Sequence, residues 1–276
     1  MPSPGARRHL LVFLSYLLIA AAFVWPLPLQ MSSALPGGPS GDTGVYVWNL
    51  WVFRHELVEH HRFPFFTLEI LSATSAAPLV LHNYTSFANV LAFFVLPIFG
   101  VVATYNGLIV FSTALAAYAL FLLARSRTGD DAASWVAGIA FGFSPFLMAR
   151  AGAHFSLVQA APLPIFALLL RRLYEGASWP TAAAAGAVVA WAYLCDPYYA
   201  VYCVLMLIFM IGYAIVTVRI PERKALFRSA TWPLDLLILC LGGLIAGIML
   251  QGGGNIEMMG LRVSMRTLYT PTLVLT

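Results

Sequence analysis

The feature that most constrains the fold of this 276-residue chain is a succession of apolar runs, each about as long as one membrane-crossing helix. Such a helix uses about 20 residues, because the hydrocarbon core of a bilayer is about 30 Å thick. Hydrophobic residues make up 61% of the chain and charged residues only 9%, whereas soluble domains are about a quarter charged. Seven runs have spanning length and an eighth is shorter: 10–30, 107–124, 132–149, 155–170, 181–196, 198–218 and 232–250, with 87–103 as the shorter one.

The runs predict an all-α protein, a polytopic transmembrane helix bundle of about 7–9 membrane segments that forms a single transmembrane domain over 1–276. The first run follows Arg7-Arg8 and allows two interpretations, an uncleaved helix or a signal peptide that ends near Ser33-Ala34. Its length exceeds the usual run of about 7–15 apolar residues in a cleaved signal peptide, which favours the helix. Residues 271–276 resemble the start of another apolar segment, so we expect the chain to be a truncated form of a longer protein.

Basic clusters between the runs predict the orientation, because loops rich in Lys and Arg stay on the cytoplasmic side. They place the N-terminus in the cytoplasm and the protein in the plasma (inner) membrane. The clusters alternate with paired spans only if the 87–103 run, which contains Pro97 and Gly100, lies in the interface or re-enters instead of crossing. The alternative is that one basic cluster lies outside. The four clusters are Arg7-Arg8, Arg125 with Arg127, Arg171-Arg172, and Arg219 with Arg223, Lys224 and Arg228.

This orientation places the unusual polar residues on the outer side. The first outer loop, 31–86, opens with a turn-rich stretch at 36–44 that contains Asp42. Trp48 and Trp51 follow among charged residues, which is typical of a helix lying in the headgroup plane. The other outer segments are a turn at 150–154, the dipeptide Asp196-Pro197, and a loop at 252–269 before the last apolar segment. Inside the 132–149 run, Gly138 and Gly142 have the spacing of closely packed membrane helices.

The order of these features resembles the GT-C superfamily of polytopic glycosyltransferases, which use sugars carried on polyprenyl or dolichyl phosphate. The resemblance covers nearly the whole chain, although superfamily members usually continue for several more spans. It implies a membrane glycosyltransferase that moves a hexosyl or pentosyl group from a polyprenyl-phosphate carrier to an acceptor on the outer face. The stretches that carry it are Gly41-Asp42 with Trp48 and Trp51, Phe63-Pro64-Phe65-Phe66, Phe143-Ser144-Pro145-Phe146, and Gly152-Ala153-His154-Phe155 before Pro162-Leu163.

The resemblance makes Asp42 the predicted catalytic residue. In the superfamily the corresponding acid of the first outer loop acts as general base toward the acceptor, or binds a metal in some branches. The residues alone also allow an ordinary turn aspartate that follows Ser-Gly. We predict no set of metal ligands and leave a divalent metal open as a cofactor. The implied partners are a lipid-phosphate-linked sugar, membrane lipids, and an acceptor glycan, lipid or protein; nucleic acid is not expected.

Five further residues are candidate substrate-binding groups: Arg150, His154, Asp196, Arg262 and Arg266. Arg150 and His154 could neutralise a phosphate or orient an acceptor; alternatively, Arg150 reaches lipid headgroups and His154 caps a turn. Asp196 either serves the site or ends a helix beside two tyrosines. Arg262 and Arg266 are predicted to share a helix face and to stabilise a departing lipid phosphate; alternatively, they bind anionic headgroups.

A function of another class stays open, namely a non-catalytic polytopic membrane protein. Such a protein would be a transporter or a degenerate GT-C relative that binds lipid carriers. Transporters often show related halves and place ionisable residues near the middle of the membrane. The sequence shows no convincing internal repeat, and its polar residues gather on one predicted side, which favours the glycosyltransferase.

Overall fold

The computed structural model describes residues 4–38, 41–70, 75–79 and 84–216, four helical positions between 236 and 243, and the backbone of 254–258 and 261–265. The chain divides into two compact units, Met1–Val216 and Thr217–Thr276, which are described separately. The structure is mostly helical, in agreement with the predicted class, apart from two short antiparallel strand pairs. The single transmembrane domain stays a prediction. The predicted 232–250 span lies outside the described residues, except at the four isolated positions.

The helices of the first unit follow one another with short connections, and a strand pair lies in the long loop between the second and third helices. Strand β1 (Phe66–Thr67) pairs with β2 (Ala77–Pro78), and in the second unit β3 (Gly254–Met258) pairs with β4 (Leu261–Met265). The helices are α1 (Pro4–Phe23), α2 (Thr43–Val58), α3 (Ser86–Thr128), α4 (Asp131–Gly142), α5 (Pro145–Ala151), α6 (Phe155–Val158), α7 (Pro162–Glu175), α8 (Trp179–Cys195) and α9 (Pro197–Ile215).

Capping residues followed by proline determine where several apolar helices begin. Ser144 precedes Pro145 at the start of α5, and Asp196 precedes Pro197 at the start of α9. Proline suits the first turn of a helix, where its missing N–H has no helical partner. The predicted continuous run 132–149 is therefore broken, and α4 and α5 are inclined by 46°. The predicted run 155–170 is broken in the same way, because Pro162 begins α7 after the short α6.

Among the described residues, three helices are long and apolar enough to cross a membrane: α1, α3 and α9. A fourth crossing results if the bent pair of α4 and α5 counts as one span, and α8 is apolar but shorter. The predicted number of segments is larger and is not confirmed. Large apolar side chains remain exposed on these helices, including Leu18, Phe94 and Phe209 at 73%, 69% and 75%. Contiguous exposed apolar surface is rare on soluble monomers, so these helices are compatible with a membrane protein.

Helix α3 changes direction at Gly100, where the backbone is non-helical with φ 77° and ψ 166°. The arm before it, 86–99, rises about 21 Å and is too short for the hydrocarbon core of about 30 Å. The arm after it, 101–128, rises about 42 Å. Ala88 and Ala92 of the first arm pack into the same core as Leu50 of α2. These contacts favour the prediction that the 87–103 segment does not cross.

Helix α4 packs closely on α3 through its two spaced glycines. A Cβ added to Gly142 would lie 2.6 Å from the Cβ of Ala117. A Cβ added to Gly138 would overlap the Tyr16 hydroxyl and approach the carbonyl oxygen of Ala117 to 2.7 Å. The spacing therefore serves close helix packing, as the sequence predicted.

Three of the four basic clusters meet at one end of the first unit, which we call the arginine end. Asp131 Oδ2 lies 3.2 Å from Arg8 Nη1, and Asp131 Oδ1 lies 2.5 Å from Arg125 Nε. Arg171 Nη1 donates to Ser126 Oγ at 2.7 Å. The convergence agrees with the prediction that these clusters lie on one side of the bundle.

The opposite end of the unit is marked by Asn106. Its Nδ2 donates to the carbonyl oxygens of Met31 and Ala34, each at 2.8 Å, at the start of the first long loop. The helix between Asn106 and Arg125 rises about 28 Å, which is close to the thickness of a hydrocarbon core. Residues 31–34 and Arg125 therefore lie at opposite ends of the α3 arm.

Candidate functional site

Asp42 and His154, which the sequence selected separately, are in direct contact. Asp42 Oδ2 lies 3.0 Å from His154 Nδ1, and the side chains are 40% and 41% exposed. The contact is an ion pair when the imidazole is protonated. Among the described residues, Asp42 and His154 make no side-chain capping hydrogen bond to the helices that they precede. We call this pair the dyad; it keeps two polar atoms accessible to a ligand.

Backbone contacts hold the dyad together, because the loop at 36–44 packs directly on the turn at 150–154. Thr43 Oγ1 lies 3.1 Å from the carbonyl oxygen of Pro36 and 3.3 Å from that of Gly152. Gly37 has a φ of +92°, and a Cβ there would overlap the Gly152 carbonyl. The two loops touch without intervening side chains, which fixes the distance between the carboxylate and the imidazole.

A buried aromatic layer supports the dyad from within α2 and α6. The Tyr46 hydroxyl lies 3.1 Å from Ser156 Oγ, and its ring meets Phe155 edge to face at 5.8 Å. Burial raises the pKa of Tyr46; the hydrogen bond to Ser156 opposes this, and the carboxylates of Asp42 and Asp196 add to it. Tyr46 therefore stays a neutral phenol near pH 7, able to donate a hydrogen bond beside the two acids.

Arg150 belongs to the same turn and borders an apolar cavity of about 390 Å³. Its guanidinium lies 5.3 Å from the centre of the Phe146 ring, and its carbonyl oxygen accepts from the backbone N–H of His154 at 2.8 Å. A cation at the edge of an apolar cavity suits an amphiphile with a negative head. The other lining residues include Leu147, Leu157, Leu163, Tyr198, Tyr199 and Tyr202.

Asp196 is buried between α8 and α9, with only 5% of the residue exposed. Its Oδ1 accepts from the backbone N–H of Tyr198 at 2.8 Å, and this bond caps α9. Asp196 also ends α8, where its backbone N–H donates to the carbonyl oxygen of Ala192, so the structure shows the helix-ending role that the sequence left open. The substrate-binding role of Asp196 stays a prediction.

The expected helix around Arg262 and Arg266 is wrong at Arg262, which lies in strand β4. Its register partner across the strand pair is Glu257. The sequence signals for this strand pair are the alternation of Val263 with polar neighbours and the presence of Gly260 between the two strands. Arg266 lies outside the described residues. The two arginines belong to the second unit, so their predicted phosphate role stays a prediction.

Sequence reasoning missed the residues that build the site around the dyad. Thr43, Tyr46 and Ser156 carry no signal of their own, because hydroxyl groups and buried tyrosines are frequent in any helix. Tyr198 and Tyr202 are four residues apart at the start of α9 and therefore share a helix face, which is a signal for a lined groove. No family model, curated protein or solved structure matches the chain, so its function is inferred from its own residues.

Proposed function

We propose that this chain is a multi-pass glycosyltransferase of the plasma (inner) membrane, similar to the GT-C superfamily, with its N-terminus in the cytoplasm. It transfers a sugar from a polyprenyl-phosphate carrier to an acceptor glycan, lipid or protein on the outer face. The contact between Asp42 and His154 is the observation that carries this proposal. An accessible carboxylate, held in place by an imidazole at a loop end of the unit, is the group that such a transfer needs.

In the proposed step, Asp42 Oδ1 removes the proton of the acceptor hydroxyl. The acceptor oxygen attacks the anomeric carbon of the sugar and forms the new glycosidic bond. The bond between the anomeric carbon and the phosphate oxygen breaks, and polyprenyl phosphate leaves with the electron pair. Positioned proton transfer of this kind accelerates a reaction by about 10²–10⁴-fold.

The neighbouring residues divide the remaining tasks. His154 Nδ1 lies 3.0 Å from Asp42 Oδ2, and this contact leaves the other carboxylate oxygen for the acceptor. Arg150 provides positive charge for the donor phosphate, and the apolar cavity beside it accommodates the first isoprene units. Arg262 and Arg266 are proposed to stabilise the leaving phosphate with further positive charge. The contacts described above do not bear on this role.

The experiment reconstitutes the purified chain in bilayers and supplies a panel of polyprenyl-phosphate hexoses and pentoses. Release of polyprenyl phosphate and formation of a glycosylated acceptor are measured together. The Asp42→Asn substitution keeps a hydrogen-bond acceptor for His154 but removes the base, so we expect transfer to fall by about 100-fold or more. Donor binding should change little. Asp130→Asn is the matched control, because Asp130 caps α4 at the arginine end.

Two further variants separate the roles. His154→Asn keeps a polar side chain beside Asp42 and should reduce transfer by less than about 10-fold, whereas a loss equal to that of Asp42→Asn would make His154 the base. Arg150→Ala should weaken donor binding as well as rate. If no donor in the panel yields polyprenyl phosphate, the enzyme proposal fails and the non-catalytic membrane protein takes its place.

A further inference from the structure

A second polar cluster lies at the far end of α2, away from the dyad. It consists of His55, His60 and Glu69, each of which offers one ligand atom within 4.8 Å of the other two. Asp42 directly precedes α2 and His55 lies in its last turn, so the two sites are separated by about 20 Å along the helix. The cluster therefore does not belong to the proposed transfer step.

Each histidine of the cluster has its Nδ1 atom occupied by a carboxylate. His55 Nδ1 lies 3.2 Å from Glu59 Oε2, and His60 Nδ1 lies 3.3 Å from Glu56 Oε2. The contact of His60 with Glu56 is a hydrogen bond, which leaves Nε2 of His60 as the coordinating nitrogen, the arrangement found around most metal-bound histidines. The contact of His55 with Glu59 is an ion pair when the imidazole is protonated. His55 Nε2 lies 3.7 Å from Glu69 Oε1.

The carboxylate that contacts His60 belongs to Glu56, and other residues hold it in place. Glu56 is fully buried, and its Oε1 accepts from Thr67 Oγ1 at 2.6 Å. The backbone N–H of Glu69 donates to the same Thr67 oxygen at 3.0 Å. Thr67 thus joins α2 to the segment that carries Glu69. Trp51 stacks on the His55 ring at 4.5 Å between ring centres and limits its rotation.

We propose that His55, His60 and Glu69 bind a first-row transition-metal dication, with Zn²⁺ as the preferred ion. Two imidazole nitrogens and one carboxylate oxygen suit zinc, and three protein ligands leave a fourth position for water or substrate. Tetrahedral zinc with bonds of about 2.0–2.2 Å needs ligand atoms about 3.4 Å apart. The ligand atoms lie within 4.8 Å of one another, so the most distant pair must approach by up to about 1.4 Å. The side chains of His60 and Glu69 are 31% and 38% exposed, which leaves them room for this shift.

The test measures metal binding by the full chain in detergent after removal of metals with a chelator. Co²⁺ serves as the probe, because its visible absorption reports tetrahedral coordination, and Zn²⁺ is then titrated to displace it. We expect one Zn²⁺ per chain. The double substitution of His55→Ala with His60→Ala should weaken the affinity by about 100-fold or more, and Glu69→Gln or Glu59→Gln by about 10–100-fold.

The neighbouring His61 provides the matched control, since it lies outside the cluster and has a φ of 52°, which asparagine tolerates. His61→Asn should bind Zn²⁺ like the unaltered chain. Circular dichroism checks that each variant keeps its helices. If a histidine variant unfolds, the Glu69→Gln variant provides the test, because Glu69 is exposed and we expect its substitution to leave the fold intact. The proposal is overturned if no saturable Zn²⁺ binding occurs, or if the double substitution or Glu69→Gln leaves the Zn²⁺ affinity unchanged.

Discussion

Asp42 reaches His154 because two glycine-containing loops approach each other backbone to backbone. Gly37 has φ +92°, a conformation that side-chain-bearing residues rarely adopt, and its Cα faces the Gly152 carbonyl. Gly38, the next residue, has open space where a Cβ would be placed. The two adjacent glycines therefore differ in what they contribute to the dyad.

We expect Gly37→Ala to lower the free energy of unfolding by about 1–3 kcal/mol, because it combines backbone strain with overlap at Gly152. Thermal unfolding in detergent measures this change. The matched variant Gly38→Ala should leave the unfolding temperature near that of the unaltered chain. Equal effects of the two substitutions would mean that the loop does not pack on the turn as described.

Both members of the dyad could be predicted from the sequence, but their contact could not. Asp42 lies in a turn-rich stretch and was selected by the resemblance, and His154 follows an apolar helix. Their pairing depends on Thr43 and on the carbonyls of Pro36 and Gly152, which carry none. For Asp196 the sequence signal was local and the structure shows the role that it indicates. Asp followed by Pro is a signal for the start of a helix, and Asp196 caps α9.

At the scale of elements, apolar composition predicts that helices exist but not where they break. Serine and proline within an apolar run are tolerated in membrane helices, so Ser144-Pro145 did not identify the bend between α4 and α5. The break in α3 at Gly100 falls inside the 87–103 run, for which Pro97 and Gly100 predicted an interfacial or re-entrant segment but not the position of a break. Helix contacts were predictable where small residues recur at a spacing of four, as in α4.

The close approach of α4 to α3 gives a prediction with an internal control. Gly142→Ala would place a Cβ 2.6 Å from that of Ala117, and we expect it to cost about 1–3 kcal/mol through overpacking. Gly186 of α8 has no atom within 4 Å of an added Cβ, so Gly186→Ala should be neutral or stabilising. Unfolding temperatures in the same detergent compare the two. A Gly142→Ala protein as stable as Gly186→Ala would rule out the described helix contact.

At the scale of the whole first unit, three basic clusters lie at one end of the α3 arm, and the start of the first long loop lies at the other. Arg8, Arg125 and Arg171 gather at the arginine end, where Asp131 and Ser126 contact them. The dyad and the start of the first long loop contain no comparable basic cluster among their described residues. Because Arg-rich loops stay on the cytoplasmic side of a membrane, we predict that the arginine end faces the cytoplasm and the dyad faces the outside.

That orientation predicts the side from which two exposed positions react. Ser33 lies beside the Asn106 contacts and Thr128 lies at the arginine end, and both are exposed. In a chain with Cys195, Cys203 and Cys240 replaced by serine, a membrane-impermeant maleimide applied to intact cells should label Ser33→Cys. Thr128→Cys should react only after permeabilisation, because we predict that the helix between the two ends crosses the bilayer. Labelling of Thr128→Cys alone would reverse the orientation, and labelling of both from outside would mean that this arm of α3 does not cross.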